Sequence, residues 1–110
     1  MMKFHQGDVV WVSLDPIKGH EQGAFRPVLV ISAIPLPGGL STVLPITTKE
    51  KSYPLEVPLD TRTKTQGMIM CHQIRTLDLE RRDARLIEQV PEDILNLCVE
   101  YVSRMIGYVA

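Results

Sequence analysis

The chain has 110 residues, 45% apolar and 23% charged, with a formal net charge of −1. That length favours one domain, 1–110, with room for one hydrophobic core and not for two. The composition excludes long disorder, the absence of any apolar run near ~20 residues excludes a spanning helix, and the charge excludes a protein that holds nucleic acid by bulk electrostatics.

The charge is uneven, however. Residues 1–76 carry eight Lys or Arg against six Asp or Glu, a balance of +2, and residues 77–110 carry four against seven, a balance of −3. The N-terminal part can therefore present a local basic surface. The N-terminus turns polar at once and has no signal-peptide core, which points to the cytosol. Cys71 and Cys98 lie far apart in apolar contexts and read as small buried hydrophobes. His5, His20 and His72 lack metal-ligand spacing, so neither a structural nor a catalytic metal is expected, nor any cofactor.

In chain order, Gly7-Asp8 is a turn signal, and Val9 to Leu14 reads as a strand apolar on both faces at its start. Asp15-Pro16 ends it. A polar loop from Ile17 to Phe25 follows, and then Val28 to Ile31, a continuous apolar run that predicts a central strand covered on both sides. Two prolines and two glycines in Ile34 to Gly39 predict a hairpin loop. Thr42 to Thr47 is a third strand, and Pro45 implies an edge or a bulge. Leu55 to Leu59 is a fourth strand of edge character. Met68 to Cys71 is a fifth, expected to continue through His72, Gln73 and Ile74. Asp78 to Asp83 reads as a short helical turn capped by Asp78, and Arg85 to Val90 as a last short strand.

The C-terminal helix has the strongest signal. Pro91 suits the first helical position, Glu92 and Asp93 suit the positive end of the macrodipole, and Gly107 suits the residue beyond the end. Ile94, Leu97, Cys98, Tyr101, Val102 and Met105 form one apolar face. Several short strands with one terminal helix predict a small, strongly curved antiparallel sheet or barrel, mainly β with α. Apolar residues on both sides of the first strand, with Trp11, suggest that a second subunit covers one face.

The loop Gly19-His20-Glu21-Gln22-Gly23-Ala24-Phe25-Arg26-Pro27 carries more chemistry than a turn needs. RNA cleaves when its own 2′-OH attacks the adjacent phosphate. Catalysis then requires a base for the 2′ proton, donors for the charge on the phosphorane oxygens and an acid for the leaving 5′ oxygen. Arg26 has the planar fork that matches two phosphate oxygens. Thr47 offers a hydroxyl, Glu21 can serve as base, and His20 has an ordinary pKa of about 6.5 that suits either proton transfer. Plainer readings stand beside these: Arg26 pairing with Glu21, Thr47 as a strand-end hydroxyl, His20 solvated, and Glu21 and Gln22 capping loop amides.

The same residues carry a resemblance. Gly7-Asp8, Asp15-Pro16, the run Gly19-x-Glu21-Gln22-x-x-x-Arg26-Pro27, Pro45-Ile46-Thr47-Thr48, Tyr53-Pro54 and Gln73-Ile74-Arg75-Thr76-Leu77-Asp78 together resemble, in order and over nearly the whole chain, the MazF/PemK family of toxin endoribonucleases. The resemblance implies an SH3-like small β-barrel of the CcdB/PemK type with a C-terminal helix, a homodimer, and metal-independent, sequence-specific cleavage of single-stranded RNA to 2′,3′-cyclic phosphate and 5′-OH ends. It implies a cognate antitoxin whose disordered C-terminal segment blocks the site. Arg26 and Thr47 carry over as the catalytic pair, with Glu21 beside them. Lys18, Lys49, Lys51, Arg62, Lys64 and Arg75 are candidates to track RNA phosphates, and His20, Gln22 and Gln73 to contact the strand. Base-edge donors are expected from the Asp60–Gly67 and Pro35–Ser41 loops.

Two other classes fit less well. A toxin of the same fold that binds DNA gyrase would carry a Trp-Gly-Ile-like C-terminus, and this chain ends Met105-Ile106-Gly107-Tyr108-Val109-Ala110. A non-catalytic RNA-binding barrel would stack bases on aromatics, and Phe, Trp and Tyr make up only 5% of the chain.

Overall fold

The computed structural model describes residues 3–14, 25–49 and 53–107. In these the apolar runs become strands β1 (Asp8–Ser13), β2 (Phe25–Val30), β3 (Ser41–Thr47), β4 (Glu56–Pro58), β5 (Met68–Met70), β6 (Arg75–Leu77) and β7 (Arg85–Gln89), followed by helix α1 (Glu92–Ile106). They form one antiparallel sheet in the order β4-β5-β3-β2-β1-β7, with β6 also paired to β3. The expected fold class, mainly β with one C-terminal helix, is the observed one. Among the described residues no helix is long and apolar enough to cross a membrane.

The fourth strand stands at the edge, as expected, but the third does not. β3 lies at the centre of the sheet, with β2 along one side and both β6 and β5 along the other. Pro45 is tolerated there because it falls where β3 changes partners. Residues Ser41 to Val43 pair with β6, Ile46 and Thr47 pair with β5, and Pro45 lies in the interval between them. A missing N–H costs nothing where no ladder bond is required. The fifth strand also ends sooner than expected. Cys71 and His72 form a turn, closed by the Gln73 N–H donating to the Met70 carbonyl at 3.1 Å, and Arg75 to Leu77 becomes a separate strand.

The sheet buries apolar side chains on both of its faces, so the expectation of a single core is corrected. One cluster holds Val9, Leu29, Leu44, Ile46 and Ile69 beneath Ile94, Cys98 and Val102 of α1. The other holds Phe4, Val10, Val12, Val28, Val30 and Val43, closed by Leu77 and Leu79. Alternation explains the division: neighbouring strand residues point to opposite faces. The chain itself therefore covers both sides of β1 and β2, and the argument that β1 needs a second subunit loses its ground. Only Trp11 of its apolar residues stays exposed.

In α1, Ile94, Cys98 and Val102 are buried, whereas Leu97 and Met105, expected on the same face, are exposed, and Leu95 packs on the core instead. Pro91 precedes the helix as its N-cap, one position before the expected one, and Gly107 ends it by donating its N–H to the Ser103 carbonyl at 2.7 Å. Asp78 caps the expected turn, accepting from the Arg81 amide at 3.2 Å, although the segment forms turns and not a helix. Cys71 and Cys98 are both buried free thiols. A hydrogen bond with Cys71 and burial push the Cys98 thiol up, away from a reactive thiolate.

The two ends of the curled sheet are joined by side chains. Glu88 of β7 accepts from the Lys64 amide at 3.0 Å, the Thr65 amide at 2.7 Å and the Thr65 hydroxyl at 2.7 Å, in the connection between β4 and β5. Arg62 in the same connection bridges Asp60 and Asp93 of α1, each at 2.8 Å. A β-bulge in β7, where the register against β1 shifts between Val9 and Val10, adds to the curl.

Candidate active site

β2 and β3 pair from Val30↔Val43 down to Val28↔Pro45, and there the pairing stops. Carried two residues further, the same register would set Arg26 opposite Thr47. Pro27 and Pro45 each lack an amide hydrogen, which thins the ladder at this point. Arg26 remains paired to Val12 of β1, while Thr47 pairs with Met68 of β5. The strand ends thus hold the two side chains on separate partners, and both side chains line the same depressions.

One cleft lies over Pro45 and Met70, with Arg26, Thr47, Lys49, Tyr53 and Gln73 around it. A second groove is lined by Arg26, Thr47, Thr48 and Gln66 together with Trp11 and Phe25. Arg26 is exposed, and among the described residues neither its guanidinium nor the Lys49 ammonium has an ion-pair partner. The Thr47 hydroxyl oxygen accepts the Lys49 backbone N–H at 3.1 Å. That bond occupies a lone pair and leaves the hydroxyl hydrogen to be donated into the cleft. The arrangement offers a fork of guanidinium N–H groups, an ammonium and an oriented hydroxyl, all donors, around one open space. This is a set for an anion whose charge increases.

Gly67 fixes Thr47 from behind. Its φ of +129° belongs to glycine, and a Cβ there would collide with the Thr47 carbonyl oxygen. The Gly67 carbonyl accepts from the Leu59 amide at 2.9 Å, so the β4–β5 connection holds Gly67 close against the Thr47 strand end.

The structure brings Arg26, Thr47, Lys49 and Gln73 together as the sequence suggested. Arg62 is elsewhere, held between Asp60 and Asp93. The Lys64 side chain does not line the cleft, although its backbone is anchored on Glu88. Arg75 donates to the Leu14 carbonyl at 3.1 Å, and Arg82 to the Ser13 carbonyl at 2.9 Å, so both bind the end of β1. Lys18, His20, Glu21, Gln22 and Lys51 lie outside the described residues.

Four side chains near the site were not named as site residues from the sequence. Tyr53 lines the cleft and stands edge-on to His72, with ring centroids 5.4 Å apart. Gln66 comes from the loop expected to supply base contacts, and only the fold brings it to Thr47. Trp11 and Phe25 stack at 6.1 Å. Glu56 is another case: it pairs across from Met70, and both carboxylate oxygens are buried without a hydrogen-bond partner. Its place in an alternating strand, on the face opposite Val57, was the available signal. Among the described residues no three His, Cys, Asp or Glu side chains are grouped as a metal site.

With this geometry in place, comparison with known proteins is informative. Residues 5–106 match the family described as PemK-like, MazF-like toxin of type II toxin-antitoxin system. The chain belongs to this family. It is 37% identical over 97 residues to the endoribonuclease PemK of Escherichia coli, covering 83% of this chain and 73% of that protein. It is 32% identical over 103 residues to the endoribonuclease toxin MazF of Escherichia coli strain K12, covering 92% of each. The crystal structure of MazF from Deinococcus radiodurans superposes with a TM-score of 0.82 at 33% identity, covering 94% of this chain and 96% of that one. By family, then, this PemK/MazF-like chain is an endoribonuclease toxin of a toxin–antitoxin system, and the cleft that gathers Arg26 and Thr47 is its candidate active site.

Proposed function

We propose that this protein cuts single-stranded RNA at short sequences, without a bound metal, by assisting attack of the RNA's own 2′-OH on the adjacent phosphorus. The observation that carries the reading is the placing of Arg26 and Thr47, from two strands that have ceased to pair, on one open cleft with Lys49. The bond from O2′ to phosphorus forms as the bond to O5′ breaks. The 2′ proton leaves to a base, O5′ receives a proton, and the products carry a 2′,3′-cyclic phosphate and a 5′-OH. Negative charge gathers on the non-bridging oxygens in the transition state. Arg26 meets it with two parallel N–H groups, and because a guanidinium keeps its proton it acts as a stabiliser of charge and not as a proton donor. The Thr47 hydroxyl, oriented by the Lys49 amide, donates to the same oxygens. Glu21 and His20 are the candidates for proton transfer. Lys49 and Gln73 contact the strand beside the scissile phosphate.

The partners follow from the same reading. The MazE–MazF structure of Deinococcus radiodurans, with a TM-score of 0.83 and 32% identity, is an antitoxin complex. We infer a cognate antitoxin here, with a disordered segment that folds over the cleft, and a homodimeric toxin acting in the cytosol. The exposed Leu97, Met105 and Ile106 of α1 supply apolar surface for such contacts.

The test is incubation of the purified, antitoxin-free protein with a long single-stranded RNA in EDTA, beside Arg26→Ala, followed by analysis of the product ends. Cuts at one short motif with cyclic phosphate ends are expected, reduced about 10²–10³-fold in the variant, the usual effect of removing one transition-state donor. RNA left intact by folded wild-type protein would overturn the proposal.

A further inference from the structure

We infer that Trp11 and Phe25 form a base-stacking subsite, where an unstacked nucleobase next to the scissile phosphate lies against the exposed aromatic rings. This inference rests on the proposed RNA-cleaving function and adds to it a place where the strand's bases are held.

Four observations support it. First, the rings are organised. Trp11 of β1 pairs with Pro27, and Ser13 with Phe25, so Trp11 and Phe25 are diagonal neighbours on one side of the sheet. Their planes lie within 21° of parallel. Second, they are open: each is 43% exposed, in a chain whose other β1 apolar residues, Val9, Val10 and Val12, are fully buried. Third, they line one groove together with Arg26 and Thr47, and that groove, about 360 Å³, is of the size that holds small ligands. In a nucleotide the base is one sugar away from its phosphate, so a groove that gathers a phosphate clamp and aromatic faces suits both parts of one nucleotide. Fourth, Gln66 and Thr48 place an amide and a hydroxyl in the same groove, able to read base edges.

A second copy of this chain is the competing occupant. Charge distribution argues against it. Arg26 and Lys49 line one depression with the rings, and Asp83 and Arg85 line another with them. The core of a protein–protein interface is depleted of charged residues, whereas alternating cations and aromatic faces suit a nucleic-acid strand.

Trp11 is the only tryptophan in the chain, so its fluorescence reports on the subsite directly. A random-sequence single strand of 2′-O-methyl nucleotides, which lacks the attacking hydroxyl, is titrated into the whole protein at low salt. An abasic strand of the same length serves as the comparison. The base-bearing strand should quench Trp11 and bind about tenfold more tightly than the abasic one, the scale of one aromatic–base stack. Phe25→Leu, shown by its melting curve to be folded, should lose about tenfold in affinity, and Phe25→Tyr should restore it. An unchanged Trp11 signal, equal affinity of the two strands, or wild-type binding by Phe25→Leu would overturn the subsite. So would a Trp11 signal that changes with protein concentration alone and follows dimerisation, which assigns the rings to a second copy. Because the strand cannot be cleaved, the two proposals fail separately. Quenching without nuclease activity removes the cleavage mechanism and keeps the subsite; cleavage without quenching does the reverse.

Discussion

Two regions of the basic N-terminal part carry arginines, and they use them in opposite ways. In the β4–β5 connection the arginine is matched: Arg62 lies between Asp60 and Asp93, and Glu88 of β7 binds the neighbouring Lys64 and Thr65 amides and the Thr65 hydroxyl. At the parted ends of β2 and β3, Arg26 and Lys49 face open space, unmatched among the described residues. Matched charges hold the curled sheet together, and unmatched ones of the same sign wait for an anion. The contrast also bears on how a sequence with a net charge of −1 can act on RNA: what counts is a few cations gathered at one place and without a partner among the described residues.

The strongest way to break this comparison is to remove one arginine from each region. Arg26→Ala should abolish most cleavage and leave the melting temperature unchanged. Arg62→Ala should leave cleavage close to wild type and lower the melting temperature slightly, an effect that shrinks further at high salt because the bridges are exposed. Parallel melting curves and cleavage rates measure both, and if Arg62→Ala cost as much activity as Arg26→Ala, the division of labour would be wrong.

Gly67→Ala tests the link between the regions. The new methyl group meets the Thr47 carbonyl oxygen and the backbone there is strained for any side chain. A destabilisation of about 1–3 kcal/mol is expected in urea unfolding, with a fall in kcat as Thr47 shifts. A variant as stable and active as wild type would show that the connection does not fix the catalytic strand end.

The smallest effect concerns pH. Hydrogen bonds from Lys64 and Thr65 outweigh desolvation and hold the Glu88 carboxyl below its ordinary range, and Arg62 does the same for Asp60 and Asp93. Groups with depressed folded pKa values stabilise the fold above their unfolded values, about 4. That contribution disappears as pH falls through the still lower folded values. Melting temperature should therefore be flat from pH 7 to about 5 and drop below about 4, with a shallower drop in Glu88→Gln. An equally steep acid limb in the variant would remove Glu88 from this role.

The reading of the sequence was strongest where a pattern is local. Continuous apolar runs and alternation gave β1, β2 and β7, and the heptad-like spacing with Glu92, Asp93 and Gly107 gave α1. Local motifs also brought Arg26 and Thr47 into view, since an arginine before a proline and a threonine at a strand end are visible without coordinates. The misjudged points are those that depend on neighbours. Pro45 suggested an edge because a missing N–H is a local fact, whereas the change of partner from β6 to β5 that excuses it is not. Composition likewise does not reveal that Trp11 and Phe25 stack on each other, because the register that sets them diagonally is not a local pattern.

The sequence alone was enough for most of the elements, for the family and for a set of candidate phosphate-binding side chains, because helix and strand periods and motifs are written within a few consecutive residues. The packing of distant segments settles which cations stay without an ion pair among the described residues, which strand faces the chain already covers and where the β2–β3 ladder ends. Those outcomes depend on pairing between residues tens of positions apart, and it is the end of that ladder, between Pro27 and Pro45, that opens the cleft around Arg26 and Thr47.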